Sequence, residues 1–139
     1  MRKLNVLIII ALLFLGFGKA GAQFKNLLLF DTTNANYPQC HLDIVGNVMY
    51  GMTEAYGTYN RGTVFSIHKD GSNYKSLHSF DDTDGAYPYG SVLVSGKKIY
   101  GMTHSGGLPN ELGVIFSMDT DGTGYKVLYT FDFTYGEDP

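Results

Sequence analysis

The chain has 139 residues, with 10 Lys and Arg against 13 Asp and Glu, a formal net charge of −3 and no Trp. That length holds one modest domain at most, and without a basic cluster neither nucleic acid nor an anionic membrane surface is an expected partner. Cys40 is the only cysteine, which excludes an intrachain disulfide; its expected state is a small, buried, apolar residue.

Taken in chain order, Arg2 and Lys3 precede an apolar run over residues 4–18, and Ala20-Gly21-Ala22 supplies the small side chains of a cleavage site. This layout is that of a secretory signal peptide, so residues 1–22 are expected to be removed and the mature chain to start at Gln23. The run is shorter than the ~20 residues of a membrane span, and no later stretch is a candidate, so export without membrane insertion is expected. Residues 26–30 read as a short strand, and 31–38 as turn chemistry. Strands follow over 41–45 and 48–53, joined by Gly46-Asn47, a pair suited to a tight hairpin turn. A polar loop, 54–61, carries Tyr56 and Tyr59 and leads to strands over 63–68 and 74–80 around Asp70-Gly71. The same order then returns: strands over 91–94 and 98–103, a loop over 104–112, and strands over 114–119 and 125–131. No helical period occurs after the signal segment, and nine strands are predicted in all.

The return is literal. Tyr50-Gly51-Met52-Thr53 recurs as Tyr100-Gly101-Met102-Thr103. Residues 30–53 match residues 80–103 at 10 of 24 positions, and residues 62–88 match 113–139 at 13 of 27. The offset changes from 50 to 51 between the two blocks, which places the extra residue in a loop, as insertions in repeat proteins usually are. Two units, at about residues 39–80 and 89–131, lie inside a repeat region over 23–139, with partial units at both ends. Val92-Leu93-Val94, Val64-Phe65 and Ile115-Phe116 put apolar side chains on both faces of their strands, so sheets covered on both sides are expected. Four-stranded antiparallel sheets packed face to face about an axis, the blades of a β-propeller, meet that demand.

Phe80-Asp81, Asp84-Gly85-Ala86-Tyr87-Pro88, Ile99-Tyr100-Gly101-Met102-Thr103, Gly106-Gly107 and Gly62-Thr63-Val64-Phe65 together resemble the Gloeo/Verruco repeat of secreted bacterial proteins. So do Asp70-Gly71 and Leu77-His78-Ser79-Phe80. The resemblance spans nearly all of residues 30–139. Departures are Met52 and Met102 where a second Thr is usual, Gln39-Cys40 in place of Tyr89-Gly90, and Gly113-Val114-Ile115-Phe116 as a variant core. The resemblance implies a propeller-like array and an exported location, and no particular activity.

Chemistry is sparse. Asp82-Thr83-Asp84-Gly85 and Asp119-Thr120-Asp121-Gly122 look like the start of a calcium loop, yet the twelfth positions are Leu93 and Thr130 where a bidentate Glu belongs. Turn roles are expected instead, as for the recurring Asp31, Asp81 and Asp132. Of His41, His68, His78 and His104, the last is best placed, in a glycine-rich loop; His68 and His78 align with Asp119 and Tyr129, which argues against a metal site repeated in each unit. No nucleophile-and-base spacing is present, and no catalytic, metal or cofactor residue is assigned. Phe30, Phe65, Phe80, Phe116 and Phe131 recur as core, whereas Tyr56 and Tyr59 are loop aromatics of the kind found in sugar and protein binding sites. The expected function is that of a secreted binding or interaction scaffold for carbohydrate or protein. The alternatives are non-catalytic blades of an extracellular glycan-degrading enzyme and a structural array of a surface adhesin. Propellers close with about 4–8 blades. Two units therefore call for further blades in a longer chain or, alternatively, a homo-oligomer.

Overall fold

The computed structural model of the protein describes residues 24–31, 37–38 and 40–134; the signal segment lies outside them. Eight strands are found among the described residues: β1 (Asp43–Val45), β2 (Val48–Thr53), β3 (Thr63–His68), β4 (Lys75–Ser79), β5 (Leu93–Ser95), β6 (Lys98–Met102), β7 (Val114–Asp119) and β8 (Lys126–Thr130). They form two four-stranded sheets in the orders β1-β2-β3-β4 and β5-β6-β7-β8, with every pairing antiparallel. The described residues contain no helix. The fold is all-β, as the short strands and Asp-Gly turns indicate.

Register explains the repeated tetrapeptide. Gly51 pairs with Phe65 and Gly101 with Phe116. A methyl group on Gly51 would stand 2.8 Å from the Phe65 ring, and one on Gly101 would stand 2.5 Å from the Phe116 ring. Each phenylalanine lies over its glycine, so the motif needs Gly where a strand would otherwise favour a branched residue. A β-bulge follows in both units, at Val64/Phe65 and at Ile115/Phe116.

The main core lies between the sheets. Sheet 1 contributes Tyr50, Met52 and Val64; the second unit contributes Val92, Ile99, Val114, Phe116 and Met118; Phe80, at the head of the linker, joins the two. Side chains alternate across the pleat, so Met49, Phe65 and Ile67 point to the opposite face of sheet 1, where Leu28 and Phe30 cover them. At one edge of each sheet Asp43 Oδ2 accepts a hydrogen bond from Val94 N at 2.6 Å and ties β1 to β5.

Two expectations need correction. Residues 26–30 are not a ladder strand; they pack by side chain over sheet 1, with Lys25 Nζ donating to Asp70 O. Their counterpart β4 is a strand because β3 lies beside it, and among the described residues no strand stands to 26–30 as β3 does to β4. Nor is every sheet covered on both faces. Leu93, Tyr100, Met102, Leu128 and Tyr129 are exposed on the far side of sheet 2. Cys40 is half-buried, with Sγ at 3.1 Å from both N and O of Met52; the thiol satisfies the edge of β2 beyond the point where β1 pairs with it.

The packing repeats along with the sequence. Phe30 meets Phe65 at 5.3 Å and 66°, and Phe80 meets Phe116 at 5.5 Å and 66°. Glu54 N donates to Tyr37 O at 3.0 Å, and His104 N to Tyr87 O at 3.2 Å. A side chain on Gly71 would strike Leu27 O, and one on Gly122 would approach Leu77 O. Residues 24–30 therefore sit on sheet 1 as β4 sits on sheet 2.

Candidate functional site

The connections fall at two ends of the sheets. One end carries the short turns, linked by Lys69 N to Asn47 O and by Thr120 N to Lys97 O, each at 3.0 Å. The other end, called the rim below, carries the long connections: loop 54–62, linker 80–92 and loop 103–113. The backbone knits these three together. Tyr87 N donates to Arg61 O, Ala86 bridges Ser105, and Gly107 N donates to Asp82 O at 2.7 Å.

Side chains continue the network. The Arg61 guanidinium bonds the Asp82 carboxylate and the Tyr87 hydroxyl, with its Cζ 5.3 Å from the Tyr87 ring centre. Asp82 holds the Arg61 pKa above its ordinary value, so this cation is permanent. Tyr89 donates its hydroxyl to Glu54 Oε1 at 3.1 Å, and its ring lies 5.0 Å from that of His104. The bond to Glu54 raises the Tyr89 pKa and keeps the phenol neutral. Tyr37, Tyr59 and Tyr89 all remain exposed.

The rim is also where the backbone is least relaxed. Of the non-glycine residues, Tyr37, Tyr56, Asn60, Asp82, Tyr87 and Glu111 have positive φ there, against Asn73 alone at the turn end among the described residues. Left-handed non-glycine residues cost of order 1–3 kcal/mol each and gather at binding and active sites.

The residues singled out in sequence are distributed unequally. His104 and loop 54–62, with Tyr56 and Tyr59, do belong to the rim. His41 lies next to it, its backbone N donating to Ser91 Oγ at 3.0 Å. His78 is in the inter-sheet junction, stacked on Tyr125 at 4.0 Å, with Nε2 2.7 Å from Asp84 Oδ2. His68 is at the turn end, held by Asn73 Nδ2 at 3.1 Å. There it lines a groove of about 430 Å³ with Tyr50, Lys75 and Asp121.

The aspartates act in turns. Asp70, Asp81 and Asp121 accept from Ser72, Thr83 and Thr123, through both backbone N and hydroxyl, and those hydroxyl bonds lower each carboxyl pKa. Asp132 Oδ1 likewise accepts from Thr134 N. Of the pieces resembling calcium loops, Asp82 pairs with Arg61, Asp119 with Lys98, and Asp84 meets His78. Arg61, Tyr87 and Tyr89 were not singled out from sequence. The available signal was departure from the repeat: Arg61 aligns with Leu112 and Tyr89 with Gln39.

The paired sheets and the tyrosine-bearing rim define an all-β repeat protein with a polar-aromatic loop surface. Comparison with known families matches residues 16–139 to the Gloeobacter/Verrucomicrobia repeat, and the chain belongs to that family. A search of curated proteins returns no match.

Proposed function

We propose that this chain is an exported binding module, part of a β-propeller-type array, that presents its loop rim to carbohydrate. One observation carries the reading: Tyr89 and Tyr59 are exposed on loops that the Arg61–Asp82–Tyr87 and Glu54–Tyr89–His104 contacts hold in place. An exposed aromatic ring on a fixed loop offers an apolar face to a sugar ring, while Glu54, Arg61 and His104 offer hydrogen bonds to its hydroxyls. Ordering such a surface before binding lowers the entropy cost of holding a ligand. The propeller reading is supported by the recurring junction, with Phe30 on Phe65 and Phe80 on Phe116 at matching angles. Export is supported by the layout of residues 1–22.

The binding reading is preferred to a catalytic one because the rim carboxylates of Asp81, Asp82 and Asp84 already serve turns and pairs. The test is a glycan array with the mature protein, followed by calorimetric titration of the best polysaccharide. Tyr89→Ala is expected to weaken binding about tenfold, roughly 1.4 kcal/mol, and Tyr100→Ala on the open sheet face to leave it unchanged. An array without hits, or equal affinity for the Tyr89 variant, overturns the carbohydrate reading; a protein ligand captured through the same tyrosines would replace it.

A further inference from the structure

The far face of sheet 2 is the repeat counterpart of the face that sheet 1 buries. Met52 is 0% exposed and Met102 is 43%; Tyr50 is 7% and Tyr100 is 37%. Leu77 packs into the junction core, while its counterpart Leu128 is 48% exposed. Scattered surface apolar residues need no explanation, but these share one face of sheet 2, on β6 and on β8 with Ile115 of β7 between them, and repeat a core pattern. The molecule itself shows what such a face fits: the opposite face of the neighbouring unit, where Ile99, Phe116 and Met118 receive Tyr50, Met52 and Val64.

Sheet 1 carries the same receiving face, in Met49, Phe65 and Ile67. Its outer part is covered by residues 24–30. Beside that segment an apolar hollow of about 220 Å³ is lined by Phe30, Cys40, Leu42, Phe65 and Ile67. The edge contact is also compatible. Within the chain Asp43 reaches Val94; the counterparts of these two are Leu93 and Ile44, both apolar and more than half exposed.

We propose that the open face of sheet 2 docks on the receiving face of sheet 1 in a second copy of this chain, head to tail. Residues 24–30 are the obstacle built into this contact, because they hold the place that β8 of the incoming copy would take. Leu27 lies at Gly71 as Leu77 lies at Gly122, and Phe30 lies on Phe65 as Phe80 lies on Phe116. Docking exchanges one segment for the other, so association in the wild-type chain is weak and depends on how readily 24–30 lifts. A head-to-tail contact is heterologous and grows either into a closed ring or into an open filament. This surface is apart from the rim tyrosines, so the proposal stands or falls independently of the carbohydrate reading.

The test is sedimentation velocity of the mature protein over a wide concentration range, with variants exposed on the surface of the single copy. Ile44→Glu blocks the receiving face and Met102→Glu blocks the incoming one. Each alone is expected to stay monomeric, and an equimolar mixture to form dimers that grow no further, because one good face of each kind remains. Phe30→Ser is expected to strengthen self-association at least tenfold by loosening the segment. Monomers under every condition, including the Phe30 variant and the mixture, overturn the proposal. So does self-association of Ile44→Glu, which would mean that sheet 2 meets sheet 2. If Phe30→Ser fails to fold, the mixture of the two surface variants decides the matter alone.

Discussion

At the scale of single residues, the glycines of the repeated tetrapeptide make the sharpest case. Gly101→Ala places a methyl group against the buried Phe116 ring. It is expected to cost about 1–3 kcal/mol, as overpacking of a tight core does, measured as a lower urea midpoint. The buried threonines divide more finely. Thr53 and Thr63 share a buried hydroxyl–hydroxyl bond at 2.8 Å, whereas Thr103 Oγ1 accepts from the backbone N of Val114, the counterpart of Thr63. Thr63→Val is therefore expected to cost less than Thr103→Val. The second change strands a buried donor, at about 1–3 kcal/mol. The turn aspartates contribute to the acid response. Asp70, Asp81 and Asp121 have lowered pKa values in the fold because their turn hydroxyls bond the carboxylate form. The unfolded chain therefore binds protons first, and their contribution is full above an unfolded pKa of about 3.9 and lost as pH falls through the folded values. Urea midpoints should fall below pH ~4, and less steeply in an Asp81→Asn variant. The sign is opposite for Tyr125. Burial raises its phenol pKa, so its contribution is full below about pH 10 and is lost as pH rises further. Ultraviolet absorbance titration is expected to show a phenol that ionises only as the protein unfolds.

At the scale of elements, β2, β3 and β7 have the bounds read from sequence, because Gly-Asn, Gly-Thr and Asp-Gly punctuation flanks dense apolar runs. β1 and β5 are shorter than expected, since only three residues of each find partners on the next strand. Residues 26–30 were indistinguishable from a fourth strand in composition. Their state depends on a neighbour that local sequence does not specify, as strand preference generally does. The rim was legible in outline: loop 54–61 and His104 stand out as polar and aromatic insertions between strands. The pairing of Arg61 with Asp82 and Tyr87, and of Tyr89 with Glu54, was not, because the partners lie 21, 26 and 35 residues apart on separate connections and nothing in their local pattern records the meeting. Phe65, Phe80 and Phe116 were visible as core from recurrence alone, and all three are buried.

At the scale of the molecule, the junction core is shared property of both sheets. Phe80 is fully buried between them and touches Phe116, His78 and Tyr125 edge-on. Phe80→Ala is expected to cost about 3–5 kcal/mol, as for a large aromatic removed from a core. It should lower both sheets together, giving one coincident transition by circular dichroism and by tyrosine fluorescence. Arrays in which each unit touches only its neighbours behave as sums of unit and interface contributions, and here the interface holds all of the buried apolar residues of sheet 2 and half of those of sheet 1.

The linker over 80–92 also has a mechanical consequence. Such a connection between two units would ordinarily be the place a protease enters. Here Tyr87 N is held by Arg61 O, Ala86 is bridged to Ser105, and Phe80 N is held by Gly62 O at 3.1 Å. Severing the chain near the exposed Tyr89-Gly90 would cut one covalent strand while leaving the clamp around it intact. Nicked protein should then migrate as one particle in a native gel and as two fragments only in detergent.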